Sequence, residues 1–207
     1  MAATRRWPAA LLAALLALTA AAAAPAKPAA RAEEPAGRFV VRAADSYVGY
    51  RILKFGVVPV RGRFAAVEGE IVVDPAQPER SRVAVRVPLR SLESGDSART
   101  ETLLSDDFFD ARRHPEMRFV SERVARGPQG GWLVSGGLTI RGVTRTVTVP
   151  VELQAGTPEE PSLAVFSTRF AIDRRDFGVL GTRWSGGRAI LAHDVEIELA
   201  LTARNGG

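Results

Sequence analysis

The residue types best able to do chemistry are scarce in this sequence. Its 207 residues include two histidines, His114 and His193, and no cysteine. Thiol catalysis and thiolate metal sites are therefore excluded. The histidines lie far apart, and no HxH, HExxH or CxxC spacing typical of a zinc site is present. His114 precedes a proline and His193 begins the last predicted strand, which favours structural roles for both.

One short segment concentrates carboxylates, and two interpretations of it compete. Asp106, Asp107 and Asp110 could ligate a hard cation through oxygen. Phe108 and Phe109 interrupt them, which favours a helix end or loop seated on an apolar surface. No nucleophile elbow (GxSxG), phosphate loop (GxxxxGK[ST]) or dinucleotide fingerprint (GxGxxG) is found elsewhere. We therefore predict no catalytic residues, no metal site and no enzyme activity.

The first 32 residues have the composition of an export signal. Arg5 and Arg6 precede an uncharged run rich in alanine and leucine, residues 7–24, that ends in small side chains. Cleavage after Ala26 or after Ala32 fits the small residues there, and we favour Ala32. A membrane anchor is the alternative, and the paired arginines leave the twin-arginine route open beside the Sec route. The expected location is periplasmic or secreted.

The charge distribution does not favour nucleic acid as a partner. The formal net charge is +5, yet four of the 28 basic residues and none of the 23 acidic residues lie within residues 1–32. The rest of the chain is nearly neutral, so a basic stripe that follows phosphates loses its main support. The expected organisation is a cleaved signal peptide (1–32), a short linker (33–37) and one domain (38–204), stabilised by burial without disulfides.

The sequence alternates between apolar and polar residues over most of that domain. Val83, Val85 and Val87 share one face of a half-buried strand, while arginines occupy the opposite face. Turn-forming residues separate such runs at the spacing of an antiparallel meander, and Asp96 or Ser97 is placed to cap one short helix. About eight or nine strands are predicted, the clearest at 47–54, 63–73, 82–90, 117–124, 132–140, 146–153, 163–172 and 194–201.

Strands with one apolar face must bury it, either by pairing two sheets or by closing one. We predict an all-β fold: a single antiparallel β-barrel of about eight strands with one short helical connection. Its interior is either filled by side chains or holds one slender apolar ligand, and the sequence leaves both open. The apolar alternation shows which residues share the inward-facing side of each strand, and on that basis we select twelve candidate lining residues of an apolar channel. They are Tyr50, Ile52, Phe64, Val67, Ile71, Val85, Phe109, Phe119, Leu138, Ile140, Phe166 and Phe170.

Five stretches in a fixed order give the sequence a family resemblance. They are residues 46–64, 69–96, 103–124, 134–153 and 172–179. Together they resemble the YceI-like family of exported lipid-binding (polyisoprenoid-binding) proteins, over roughly residues 38–203. The resemblance implies a lipocalin-like barrel whose channel holds a long polyprenyl or isoprenoid quinone chain, with no cofactor and no chemistry.

Two positions depart from the family pattern, and both bear on recognition of a ligand head group. Lys54 stands where many members carry histidine. Residues 99–103 read RTETL where many members read RDxHL. Neither change affects the apolar alternation that predicts the fold.

Two functions stay open at the level of sequence. The first is a carrier, store or sequestering protein for a polyisoprenoid or other long-chain amphiphilic lipid, with transient membrane contact. The second is a ligand-free periplasmic interaction or stress module with a filled barrel, whose arginine-rich outer strands meet an acidic partner. The oligomeric state is left open, a dimer included.

Overall fold

Antiparallel pairing joins the strands of this protein into a closed ring. The computed structural model describes residues 35–128, 130–157, 159–188 and 190–206. Two α-helices lie in this part of the chain, α1 (Ser97–Leu104) and α2 (Thr182–Ser185). The strands are β1 (Gly37–Val41), β2 (Tyr47–Lys54), β3 (Val58–Phe64), β4 (Glu68–Val73), β5 (Arg82–Pro88), β6 (Leu92–Glu93), β7 (Glu116–Arg126), β8 (Trp132–Ile140), β9 (Val143–Ala155), β10 (Leu163–Asp173) and β11 (Leu191–Asn205).

Six of these strands combine in pairs into three interrupted barrel strands. β1 and β2 both pair with β11, β4 pairs with β1, and β3 pairs with β2. β5 then pairs with β4, and β6 pairs with β3. With β7 to β11 these form an eight-stranded antiparallel barrel in chain order, closed where β1 meets β11. The predicted eight-stranded barrel is confirmed.

The strand interruptions account for the differences from the predicted boundaries. β2 and β8 have the predicted bounds, but the predicted strand 63–73 is divided between β3 and β4. The division arises because Ala65 leaves the ladder and donates its backbone N–H to the Ser91 carbonyl at 2.8 Å. Strand pairing begins at Gly37, which lies opposite Val73. Gly37 is one residue before the expected start of the domain. α2 lies between the predicted strands 163–172 and 194–201, in a segment for which no helix was predicted.

One end of the barrel is closed by packed side chains. Phe39 is 1% exposed and meets the ring of Phe166 edge to face, with 5.6 Å between centroids. Ala164 and Ala203 are fully buried, and Trp132 is buried beside them in the same core. The opposite end carries the β2–β3 hairpin, α1 and α2. Access to the interior is therefore to be sought at that end.

The helical connection covers part of the open end. Asp96 caps α1, since its carboxylate accepts the Arg99 backbone N–H at 2.7 Å, as the sequence predicted. The chain folds back after the helix, where Phe109 donates its N–H to the Leu103 carbonyl at 3.0 Å and Phe108 is buried. Within the described ranges, no helix has the length and hydrophobicity needed to cross a membrane.

Candidate functional site

An apolar channel runs inside the barrel. Its inner section has a volume of about 140 Å³, and the section nearer the open end has a volume of about 120 Å³. Val48, Met117, Ile140 and Ile197 belong to the walls of both, so the two sections are consecutive. Inward-facing strand side chains form the walls of the inner section, and the outer section is completed by residues of α1, of the segment after it and of the turn after β10. The channel can therefore hold a slender apolar ligand.

Eleven of the twelve predicted lining residues border this channel. The twelfth, Val67, is 2% exposed and lies in the packed core, outside both sections. It falls in the interruption between β3 and β4, where strand alternation no longer determines side-chain direction. Ligand contact at the eleven stays a prediction. They are Ile71, Val85, Phe119, Leu138, Phe166 and Phe170 in the inner section, Tyr50, Ile52, Phe64 and Phe109 in the outer one, and Ile140 in both.

Other wall residues were absent from the prediction, for two different reasons. Val83 and Val87 share the face of Val85, so the same alternation contained the signal for them. Phe177 and Val179 also line the outer section, but they lie in the turn after β10. A turn has no strand periodicity, so no pattern in the sequence could place these two side chains.

The channel opens into a third cavity of about 330 Å³, which we call the mouth. Its wall includes Tyr50, Lys54, Arg99, Phe108 and Trp184. The rings of Phe108 and Trp184 meet edge to face, with 6.0 Å between centroids. The Lys54 Nζ lies 5.8 Å from the centroid of the Trp184 ring, within the range of a cation–π contact. The mouth thus combines aromatic surface with positive charge.

Two hydroxyl groups in the channel wall have no hydrogen-bond partner within the described residues. They are the Oη of Tyr50 and the Oγ1 of Thr168, and both atoms are buried. Burial raises the pKa of Tyr50, although the nearby Arg99 charge opposes the shift. The Tyr50 ring fits because its cross-strand partner is Gly62, where an added Cβ would lie 2.4 Å from the hydroxyl. Buried unpaired hydroxyls are places where the polar part of a ligand can bind.

Arg174 joins the turn after β10 to the start of β11 and borders the outer section of the channel. Its guanidinium donates to the carbonyl oxygens of Val179 and Leu180, both at 2.7 Å, and of Ala192 at 2.8 Å. Burial lowers the pKa of Arg174. These hydrogen bonds satisfy carbonyls that no strand partner reaches, so one side chain holds this part of the wall in place.

The aspartate-rich segment serves the structure near the mouth. The Asp107 carboxylate accepts the backbone N–H groups of Arg183 at 3.2 Å and Trp184 at 2.7 Å, at the start of α2. Burial opposes the shift, but hydrogen bonds from these N–H groups hold the pKa of Asp107 below its ordinary value. Asp106 pairs with the Arg183 guanidinium at 2.5 Å. Across the described ranges, no group of three histidines or carboxylates is arranged to hold a metal ion.

Solved structures with the same fold come from several bacteria. The crystal structure of BcnA from Burkholderia cenocepacia has a TM-score of 0.70 and 28% identity, covering 78% of this chain and 98% of that one. A Campylobacter jejuni YceI protein has a TM-score of 0.64 and 24% identity, covering 73% and 88%. A polyisoprenoid binding domain from Saccharophagus degradans has a TM-score of 0.65 and 15% identity, covering 81% and 98%. The last two show the fold alone.

Sequence comparison shows the family. A UPF0312 protein of Pseudomonas putida strain W619 is 31% identical over 139 residues, which cover 66% of this chain and 72% of that protein. A UPF0312 protein of Vibrio cholerae is 30% identical over 141 residues, covering 67% and 74%. The family model for the YceI-like domain matches residues 39–203, from the first barrel strand to the last. This chain therefore belongs to the YceI-like domain family.

Proposed function

We propose that this protein is an exported lipid-binding protein without catalytic activity. It holds one long isoprenoid chain, a polyprenyl lipid or an isoprenoid quinone, in the barrel channel for transport, storage or sequestration. The observation that carries the proposal is the apolar channel, whose two sections, of about 140 and 120 Å³, share wall residues with each other, while the outer section also shares wall residues with the larger mouth. Each methylene-sized group buried there contributes about 0.8 kcal/mol, and an isoprenoid chain needs no polar partner along its length.

The comparisons support the same class of ligand. The structural neighbour from Saccharophagus degradans is described as a polyisoprenoid binding domain. Export is supported by the composition of residues 1–32, which lie outside the described part of the chain. The alternative, an interaction module with a filled barrel, is disfavoured by the cavities, because a packed core leaves few voids larger than a water molecule.

The proposal includes transient contact with a membrane through the tip of the β2–β3 hairpin. Phe55 and Val57 are 63% and 77% exposed there, although both are apolar. Phe55 adjoins the mouth, since Lys54 Nζ lies 5.1 Å from its ring centroid and also contacts Trp184. An exposed apolar tip beside the channel opening would let a chain pass from a bilayer into the barrel with little exposure to water.

Native mass spectrometry of the protein purified from its own host tests the proposal directly. We expect a bound species in about one copy per chain, with the mass of a polyprenyl lipid or isoprenoid quinone after dissociation. Delipidated protein should regain a similar mass shift on incubation with a long prenol, because the cavity is built by the protein alone. A mass without ligand that isoprenoids leave unchanged would contradict the lipid-binding function and favour a partner on the outer surface.

A further inference from the structure

The barrel wall is not hydrogen-bonded along its whole height. The ladder between β9 and β10 covers the half nearer the closed end and stops where Glu152 lies opposite Ser167. Towards the open end, residues 143–150 of β9 and 169–173 of β10 have no ladder partner in each other within the described ranges. There each strand keeps its ladder with the other neighbour, β8 or β11. We call this unpaired junction the seam.

Pro150 accounts for the place where the ladder stops. It lies opposite Leu133 in the unbroken ladder between β8 and β9, and a proline has no N–H to donate to a ladder. Its nitrogen therefore faces β10, because the backbone groups of successive residues in an antiparallel strand face its two neighbours in turn. The donor that would continue the ladder with β10 after Glu152 is missing, and the seam begins there.

An exposed arginine indicates that water reaches the inner face of the wall at the seam. Arg145 lies directly opposite Leu138, whose buried side chain lines the inner section of the channel. Residues paired in this way point to the same face of a sheet, so Arg145 occupies an inward-facing position. It is nevertheless exposed, and it makes no ion pair among the described residues. An unpaired charge is tolerated there only because solvent reaches it.

The inner section of the channel lies directly behind the seam. Val149 and Val151 on β9 and Thr168 and Phe170 on β10 belong to its wall. We propose that the seam is a lateral portal, through which an apolar lipid chain enters and leaves the inner section. This inference rests on the proposed function and adds a second route for the ligand beside the mouth. Side entry spares a long flexible chain from being threaded end first through the mouth and the outer section.

The seam is joined at both ends, which makes it a slit rather than a break in the barrel. Arg141, in the turn between β8 and β9, donates to the carbonyl oxygens of Gly178 and, at 2.8 Å, of Asp106. Gly178 lies in the turn after β10, so this side chain connects the two strands at the open end. Between Arg141 and the ladder, the edges of the slit can separate without breaking ladder hydrogen bonds, whereas opening a paired junction breaks several.

Free strand edges can also recruit an extended segment of another chain, and β9 is protected against this. A proline and an inward-pointing charge on an edge strand both oppose the addition of a further strand. Pro150 and Arg145 place both devices within the seam. The apolar side chains behind it suit the passage of a lipid chain instead.

A disulfide across the seam tests the portal, and any introduced pair is unique because the sequence has no cysteine. Thr148→Cys combined with Ala171→Cys uses positions that would lie opposite each other if the ladder continued. Gln154→Cys combined with Val165→Cys is the matched control, because it joins the same two strands where they are already paired. Stopped-flow transfer of a fluorescent geranylgeraniol analogue between delipidated protein and phosphatidylcholine vesicles measures uptake and release.

We expect oxidation of the seam pair to slow both uptake and release at least about tenfold relative to the reduced form. The affinity should change less than about twofold, because the route is blocked while the channel wall is unchanged. Oxidation of the control pair should leave both rates as they are. If the seam pair resists oxidation, a short bismaleimide joins the two thiols, with the same expected result. Equal rates in the joined and reduced forms would overturn the portal and leave the mouth as the route.

Hydrogen exchange of single amides, measured by NMR on the ligand-free protein, tests the seam without any lipid. The N–H groups of Arg169 and Ala171 face the seam, and those of Thr168 and Phe170 face β11. We expect the first two to exchange at least about tenfold faster than the second two. Equal protection would show a sealed junction and overturn the portal. Binding of no prenol by any form, with fast exchange at the seam, would contradict the proposed function and the portal with it.

Discussion

At the scale of single residues, one arginine connects parts of the channel wall that strand pairing does not join. The Arg174 guanidinium donates to four carbonyl oxygens that belong to two different chain segments, those of Val179, Leu180, Leu191 and Ala192. The adjacent Arg175 points its guanidinium to Asp173 at 2.5 Å, in an ion pair that is largely exposed on the arginine side. Arg174 and Arg175 thus have unequal roles, because only the Arg174 guanidinium supplies hydrogen bonds to carbonyl oxygens that lack a strand partner.

Replacing Arg174 by alanine should therefore destabilise the barrel by about 2–4 kcal/mol, since four backbone carbonyls, three of them in partly buried hydrogen bonds, lose a charged donor. Arg175→Ala is the matched control and should change the free energy of unfolding by less than about 1 kcal/mol, as exposed ion pairs do. Urea denaturation measures both. Equal, small effects for the two variants would show that the Arg174 hydrogen bonds do not hold the wall.

A carboxylate at the end of β10 makes stability depend on pH. The hydrogen bond from Arg175 is the main reason that the pKa of Asp173 falls from 3.8 to about 2. A lowered folded-state pKa contributes stability that is complete above the unfolded value and is lost as pH falls towards the folded value.

We expect the free energy of unfolding of the unchanged protein to decrease as pH falls from 4 to 2. Part of this slope should vanish in Asp173→Asn, because the amide does not titrate. Denaturant titrations at several pH values measure it, and the unchanged protein in the same buffers is the reference. An identical pH slope in the variant would rule out Asp173 as a contributor.

At the scale of elements, the β2–β3 hairpin has a tip whose sequence is unfavourable for its conformation. Phe55 and Gly56 have φ angles of 54° and 74°, as in a type I′ turn. Glycine adopts this region readily, whereas a bulky aromatic residue is rarely found there. An exposed phenylalanine in a strained position indicates a role outside folding. Its place beside the mouth fits the membrane contact that we propose for this hairpin.

Phe55→Asn should raise the stability of the hairpin by about 1 kcal/mol, because asparagine tolerates the left-handed conformation. The same change should slow the transfer of a fluorescent prenyl lipid between the protein and vesicles severalfold, since the apolar tip is lost. Val40→Thr is the control, as Val40 is an exposed apolar residue on β1 at the closed end. Unchanged transfer in Phe55→Asn would contradict membrane contact through the hairpin.

At the scale of the whole molecule, the depth of the channel sets the length of chain that fits. Val149 on β9 lines the inner section, whereas Thr146 on the same strand is exposed. Filling the inner section should shorten the channel without closing the mouth, because the inner section and the mouth lie at different heights in the barrel. The length of lipid chain that fits is therefore a property of the assembled barrel rather than of any one strand.

Val149→Phe should weaken the binding of a C40 prenol at least about tenfold, since several methylene-sized groups lose their place in the wall. Binding of a C15 prenol should change little. Thr146→Phe adds the same side chain to the outer face and should affect neither ligand. Calorimetric titration of both prenols measures the difference. Equal loss of both chain lengths would show that the inner section is not where the far end of the chain lies.

Much of this protein follows from local sequence patterns. The period-two alternation that groups Val83, Val85 and Val87 repeats along the chain, so strand number, antiparallel order and barrel closure could be predicted. Capping of α1 by Asp96 was predictable because the capping residue and its partner are three positions apart. Composition alone excluded thiol catalysis and thiolate metal sites, because the sequence has no cysteine, and it left only two histidines as candidates for catalysis or metal binding.

Only the tertiary structure decided where empty space is left inside the barrel. A cavity is what remains after strands distant in sequence have set their registers, so Val67 and Val85 are alike in sequence yet only Val85 borders the channel. The same holds for the mouth. Lys54, Arg99 and Trp184 come from the hairpin, α1 and α2, and their separation in the chain hides their convergence. The isolation of the Tyr50 hydroxyl depends on every neighbour around it, which no local pattern contains.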